Sequence, residues 1–341
     1  MKLRVLFILV LTQIFTLSAA IRDWKPGAFE LLQPTERKPA RTAVLIMSPS
    51  DVFNRNVYLD CRWQLGKKVW EQYMNVYPNV DCYFLQDVKL RKGFSEQTWI
   101  EGNTIYVGND TAYENGEIPL SKTIAALEKL LPNYTHFFRT NVNAFVNLKA
   151  LNEYAETHHQ SMFTGPLWQQ PYWYLVGYGI LFSADVAIHI VNEYRRLEGN
   201  YLKGNYIASR LFPEDLTITS LATGVFLYYD DIGQVKGDPE FICCPALPLG
   251  VRQLMCGLSL TTTRLSMYGV QLAPAPSFEQ AIDYCNGALP RAILYRIRGG
   301  FDLDKLAEVY EYLLNNIYPE LPKFDLVEFA KSLPVIRDDN T

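Results

Sequence analysis

The chain has 341 residues, 49% of them hydrophobic and 13% aromatic, enough to bury a substantial core, so disordered and low-complexity classes are excluded. Its formal charge is only −4 and no block of like charges occurs, which argues against a surface that tracks nucleic-acid phosphates. A small anionic ligand is still compatible with this balance, because a pocket needs only a few local cations.

Lys2 and Arg4 precede the apolar run "VLFILVLTQIFTL", and "SAA" at Ser18–Ala20 offers small residues for cleavage, the pattern of a secretory signal. The alternative is a short uncleaved anchor; the run falls below the roughly 20 apolar residues of a spanning helix and carries Thr12, Gln13 and Thr16. Either way residues 1–20 predict export, to the lumen of the secretory pathway (endoplasmic reticulum or Golgi) or to the outside. Cys61, Cys82, Cys243, Cys244, Cys256 and Cys285 then become potential disulfide partners of undetermined pairing. "NDT" at Asn109 and "NYT" at Asn133 are weak glycosylation sequons.

Residues 21–41 are polar with three prolines and read as a stem or linker. "TAVLIMS" from Thr42 has the length and composition of a buried strand. "CRWQLGKKVWEQYMNVYP" spaces Trp63, Val69, Trp70, Tyr73 and Val76 at near-helical intervals up to Pro78, and "VDCYFLQ" from Val80 is a second strand. Strand, helix and strand in that order predict parallel pairing in an α/β sheet. The polar stretch from Lys89 to Thr104 gives no clear element, and "NTIYVGND" reads as a short strand.

"SKTIAALEKLL" predicts an amphipathic helix capped by Ser121, with Ile124, Leu127 and Leu131 on one face and Pro132 as its stop. "THFFRT" is the next strand and leads into Asn141 and Asn143. "LNEYAETHH" reads as helix, "VGYGILFS" as strand, and "SADVAIHIVNEYRRL" as a helix capped by Ser183. Beyond "FPEDLTITSLATG" the chain is rich in proline and cysteine until a late helix at "FDLDKLAEVYEYLL". Length alone suits one large domain or two small ones. The continuous pattern without internal repeat favours a single domain over residues 42–335.

Several segments, in order, resemble the inverting β-1,3-glycosyltransferases that include galactosyl-, N-acetylglucosaminyl- and Fringe-type enzymes. "KKVW", with Lys67, is similar to that family's early basic-x-x-Trp helix. "NDTAYENGEIPLSKTIAALEKL" resembles its Asp-Ser-Tyr-x-Asn-Leu-x-x-Lys-Thr segment, with Asp110, Tyr113, Asn115, Lys122 and Thr123 in register. "FFRTNVNAFVNL" is similar to the Lys-Thr-Asp-Asp-Asp-x-Phe-Val-Asn strand and loop, and "GYGILFSADVAIHIV", with Gly177 and Gly179, to the Gly-x-Gly-Tyr-x-Leu-Ser segment. "FPEDLTIT" resembles the family's Pro-Glu/Asp-Asp segment. The likeness covers roughly Thr42 to Gly224, and the order of the motifs is more specific than any one of them.

The resemblance implies a GT-A fold, a Rossmann-like mixed sheet flanked by helices in one catalytic domain. It also implies a UDP-sugar donor, a glycan or glycoprotein acceptor and transfer of a hexose or N-acetylhexosamine with inversion. Such transfer requires a base at the acceptor hydroxyl and positive charge for the departing diphosphate. By the motif match Asp215 is the base, and Glu214 orients the acceptor or its neighbours. The bare triplet has a blander reading, since Pro, Glu and Asp all suit the first turn of a helix. Lys67, Asp110, Lys122, Arg139, Asn141, Val142, Asn143, Gly177 and Gly179 are the donor-binding candidates.

The family's acidic triplet, which supplies carboxylate to a divalent cation, usually manganese, is replaced by Asn141, Val142 and Asn143. Amide oxygens can ligate a hard cation but bring no negative charge, so manganese is expected to bind weakly here, if at all. The family's late metal-ligand histidine has no counterpart in "ILYRIRGG", where Tyr295 and Arg296 stand. Lys122, Arg139, Arg296 and Arg298 are therefore expected to meet the diphosphate directly, as guanidinium binds phosphate bidentately; taken one by one, each also reads as an ordinary salt-bridge cation.

Other motifs carry less. "FDLD" at Asp302–Asp304 opens a helix, "YYDDIG" with Asp230 and Asp231 reads as a turn, and His158 and His159 diverge on any regular structure. No G-x-S-x-G or P-loop occurs. Two rival readings stand beside the transferase: a non-catalytic relative that keeps sugar-nucleotide or glycan binding, and an exported adhesive protein using its 22 tyrosines and six tryptophans.

Overall fold

A computed structural model of the protein describes residues 40–48, 57–89, 98–109, 118–157, 162–165, 167–169, 173–175, 177–198, 214–223, 227–229, 235–237, 269–272, 292–297 and 302–334. All of these belong to one unit, Pro39–Thr341. The first strand, β1 (Thr42–Met47), shows why the sequence there is apolar without alternation: every residue of it is buried. A strand buried on both faces has helices on both sides. Val44 and Ile46 pack with Leu65, Val69, Trp70 and Leu306, whereas Ala43, Leu45 and Met47 pack with Ile124, Leu127, Val186 and Ile218.

Helix α1 (Val57–Tyr73) crosses from β1 to β2 (Val80–Lys89), which lies parallel to β1. A hairpin follows, β3 (Thr98–Glu101) and β4 (Thr104–Asn109), with Gly102 at φ 54° in its two-residue turn. Helix α2 (Ile118–Leu130) and a 3-10 turn at Leu131–Asn133 lead into β5 (His136–Asn141), parallel to β1 on its other side. The chain then leaves the main sheet as β6 (Ala144–Val146) and enters helix α3 (Leu148–Thr157). It continues through β7 (Phe163–Thr164), the hairpin β8 (Leu167–Gln169) and β9 (Trp173–Leu175), β10 (Gly179–Ser183) and helix α4 (Ala184–Glu198). Helix α5 (Glu214–Thr223), the pair β11 (Leu227–Tyr229) and β12 (Val235–Gly237), β13 (Gly269–Leu272), β14 (Leu294–Ile297) and helices α6 (Leu303–Ile317) and α7 (Leu326–Ser332) complete the described order.

The main sheet has seven strands in the order β3-β4-β2-β1-β5-β10-β7, parallel at its centre and antiparallel at both edges. Helices α1, α6 and α7 cover one face and α2, α4 and α5 the other, giving three layers around a mixed, Rossmann-like sheet. A second sheet, β13-β14-β6, takes the segment that leaves β5. Beneath that junction lies an aromatic stack: Trp70 on Tyr73 at 4.9 Å, Tyr73 on Tyr318 at 5.0 Å, and Phe145 beside both. Their phenols serve the backbone, since Tyr73 Oη accepts from Val146 N and Tyr318 Oη accepts from Leu148 N while donating to the Val146 carbonyl.

Several local expectations change. Helix α2 begins at Ile118, so Ser121 lies inside the helix instead of capping it; Pro119 suits a first turn because that turn needs no N–H from it. Helix α1 ends at Tyr73, before Pro78. Ser183 does precede α4, but its hydroxyl accepts the Met162 N–H at 2.9 Å and bonds the Asp185 carboxylate. Asp302 stands at the N-cap of α6 without a side-chain cap bond. Cys61 and Cys82, potential disulfide partners by sequence, are both buried in the α1-side core and are not bridged to each other. The signal or anchor, Cys243, Cys244, Cys256, Cys285, Asp230, Asp231, His158 and His159 lie outside the described residues. Among the described residues no helix is long and apolar enough to cross a membrane.

Candidate functional site

Because β2 and β5 flank β1 on opposite sides, the chain reverses its winding direction between β1 and β5. In open α/β sheets ligands bind at such a switch point, outside the carboxyl ends of the strands. Here those ends are Met47, which registers with Asn141, and the following turn Val142–Asn143. Val142 N donates to the Met47 carbonyl at 3.1 Å, and Lys122 Nζ from α2 donates to the Ser48 carbonyl at 3.0 Å. Two features of α1 hold the turn from below. Trp70 Nε1 donates to the Val142 carbonyl at 3.1 Å, and Gly66 allows such close approach that a Cβ there would stand 2.6 Å from the Val142 oxygen. From α6, Tyr310 Oη donates to the Asn143 carbonyl at 3.1 Å. Burial pushes the Tyr310 phenol up to about 12, so it keeps this proton at neutral pH.

A polar network joins three elements at the same edge. Arg139, two residues before the end of β5, donates Nε to Glu214 Oε1 at 3.1 Å and Nη2 to Glu214 Oε2, and Nη1 to Asn141 Oδ1 at 2.7 Å. Thr123 Oγ1 of α2 donates to Glu214 Oε1 at 2.5 Å. The Arg139 and Glu214 side chains are 7% and 5% exposed. Beside them Asp215, half-buried in the first turn of α5, accepts the Gly177 N–H on Oδ2 at 2.9 Å. Adjacent helical residues diverge by about 100°, so the two carboxylates point to different partners. Both profit from the positive end of the helix.

The structure therefore brings together Arg139, Asn141, Gly177, Glu214 and Asp215, with Lys122 and Val142 bound to the neighbouring strand end. Gly179 opens β10 opposite Thr140. Lys67 instead lays its ammonium over the Phe84 ring at 5.5 Å. The backbone of Arg296 registers opposite Ala144, one residue beyond Asn143. Asp110 and Arg298 lie outside the described residues. Three of these side chains have partners within the protein. Glu214, expected to orient the acceptor, is buried against Arg139 and Thr123. Arg139 and Lys122, expected to meet a diphosphate, are themselves buried, the first paired with Glu214 and the second on a backbone carbonyl. Ser48 and Gly66 carry no site signal in the sequence, whereas Thr123 and Trp70 stand in the matched segments "SKT" and "KKVW".

The Asn pair does not fit a divalent cation. The Asn141 oxygen already accepts from a guanidinium, whose charge would repel a metal ion, and neither amide brings negative charge to offset it. Among the described residues no group of three His, Cys, Asp or Glu is arranged to hold a metal.

Fold and site together define an α/β protein with a Rossmann-like mixed sheet and a buried ion pair beside a half-buried carboxylate at its switch point. No family model matches the chain, and no curated protein matches it.

Proposed function

We propose that the chain is a GT-A type glycosyltransferase that moves a hexose or N-acetylhexosamine from a UDP-sugar to a hydroxyl of a glycan or glycoprotein, with inversion and in β-1,3 linkage. The observation that carries this reading is the Asp215 carboxylate, held by Gly177 N–H within one side chain of the Arg139–Asn141 pair at the switch point. In the proposed reaction the acceptor hydroxyl gives its proton to Asp215 as its oxygen bonds to C1 of the sugar. The bond from C1 to the diphosphate oxygen breaks, and UDP departs with the electron pair. Charge for the departing diphosphate comes from the protein. Arg296 is the best-placed candidate by backbone position, since its backbone pairs with Ala144 of β6, one residue beyond Asn143. The reading carries with it a place in the secretory pathway, on the strength of the N-terminal segment.

A non-catalytic relative that binds a sugar nucleotide or glycan is the second reading, favoured by the engagement of the Asn141 oxygen with Arg139 where a family member has a metal ligand. UDP release from UDP-galactose, UDP-N-acetylglucosamine and UDP-glucose, with a broad acceptor panel and with manganese or a chelator, separates the two. Release that survives the chelator and vanishes in Asp215→Asn supports the transferase. Nucleotide binding without turnover of any donor supports the binding module, and absence of both removes the two readings together.

A further inference from the structure

The Glu214 carboxylate sits beside the proposed base but is almost wholly buried, and among the described residues it takes three hydrogen bonds, two from Arg139 and one from Thr123. We infer that Glu214 is a positioning residue, and that the buried Glu214–Arg139 pair braces the first turn of α5 so that the Asp215 carboxylate stays on the Gly177 N–H. This rests on the reading of Asp215 as the base.

The brace has a rigid end. Arg139 belongs to β5, which is paired on both sides, with β1 and with β10, so its guanidinium projects from the best-anchored backbone near the site. It holds both carboxylate oxygens of Glu214, which fixes orientation as well as distance. The remaining Nη1 contact with Asn141 stops the guanidinium from rotating. Thr123 ties the same carboxylate to α2, so the start of α5 is joined to both a central strand and a neighbouring helix. Taking two charges out of water is costly, and an apolar pair of similar volume is often at least as stable. A fully bonded ion pair at this place is accounted for by the geometry it imposes.

Gly177 shows how tightly the parts are registered. A Cβ on it would lie 2.8 Å from Arg139 Nη1 and 3.0 Å from Asp215 Cβ, so the glycine backbone fills the gap between brace and base. If the first turn of α5 drifts by a fraction of an ångström, the Gly177–Asp215 bond is the first to lengthen. A base displaced on that scale loses rate while donor affinity, carried elsewhere, is kept.

Full-length protein and its Glu214→Gln, Thr123→Val and Asp215→Ala variants are compared by hydrogen exchange at the Gly177 amide and by UDP-release kinetics. Asp215→Ala, which removes the acceptor, sets the scale for full loss of protection. Glu214→Gln is expected to speed Gly177 exchange by about tenfold, with Thr123→Val intermediate. In the kinetics kcat falls about tenfold or more in Glu214→Gln, while KM for the donor moves less than about threefold. Gly177 protection that falls in Asp215→Ala but is unchanged in both Glu214→Gln and Thr123→Val overturns the inference. So does a rise in KM at constant kcat, the mark of a residue that touches the donor. If Glu214→Gln does not fold, Thr123→Val decides alone. The exchange readout needs no turnover, so a protein that turns over no donor refutes the transferase and leaves the brace to be judged on exchange.

Discussion

The Gly177 amide donates to Asp215 at 2.9 Å while the Arg139 guanidinium lies against the same glycine, so a residue without a side chain mediates between a charged pair and the carboxylate proposed as the base. Neither neighbour has room to withdraw: Arg139 is held by Glu214 and Asn141, and Asp215 by its place in the first turn of α5. Gly177→Ala should therefore cost about 1–3 kcal/mol through overpacking. In a domain of this size that is a melting point lower by roughly 2–4 °C for each kcal/mol. The expected readout is a lowered calorimetric midpoint with UDP release reduced at least about tenfold; an unchanged midpoint and full activity would show that the glycine is not needed.

Arg139→Ala leaves the Glu214 carboxylate buried and uncompensated, a loss of about 3–5 kcal/mol. Replacing both partners by apolar residues, as in Arg139→Met with Glu214→Leu, removes both charges and should recover most of that stability. Denaturant midpoints of the single and double variants measure the coupling. Equal losses in the single and the double variant would mean that the pair contributes packing, not charge compensation.

Alkaline pH should loosen the turn after β5. Burial moves the Tyr310 phenol from its ordinary 10.0 to about 12, so above pH 10 the unfolded chain gives up a proton that the folded chain keeps. The unfolded state then binds fewer protons, and stability falls by about 1.4 kcal/mol per pH unit between pH 10 and 12 from this residue. Burial raises Tyr73 and Tyr318 in the same direction. Tyr310→Phe should shallow the alkaline slope by one proton and cost about 1 kcal/mol at pH 7, where the bond to the Asn143 carbonyl is lost. Midpoints collected from pH 8 to 12 test both parts; an unaltered slope in the variant counts against the assignment.

Cys61 and Cys82 should resist alkylation in the folded protein. Both are buried, Cys61 Sγ donates to the Pro334 carbonyl at 3.3 Å, and burial raises the Cys82 thiol well above its ordinary value, so little thiolate forms. Mass mapping after maleimide treatment at pH 8 should find both unlabelled natively and both labelled in denaturant. Native labelling of either would show that the α1-side core opens readily.

Local periodicity carried much of the architecture. The unbroken apolar run of β1 announced a buried strand, which the structure covers on both faces, and the spacing of Trp63, Val69, Trp70 and Tyr73 announced a helix, whose apolar side packs into the core. The alternation of strands and helices implied the parallel centre of the sheet. The β3–β4 hairpin was legible in principle, since Gly102-Asn103 between Glu101 and Thr104 is a two-residue turn signal, yet the polar residues before it obscured the first strand.

The chemistry of the candidate site was legible only as a set of residue types. Arg139, Asn141, Glu214 and Asp215 could be named from their segments, because strand ends and helix starts are where polar side chains meet ligands. Which of them would be buried together could not be read from the sequence. Glu214 meets Thr123 across 91 positions and Arg139 across 75, and separations of that kind leave no periodicity in the sequence. Sequence by itself therefore determined the strands, the helices and the charges available. Only the tertiary structure decided that one carboxylate is buried on an arginine while its neighbour stays half-exposed on a glycine amide, because desolvation and pairing depend on what the fold packs around each group.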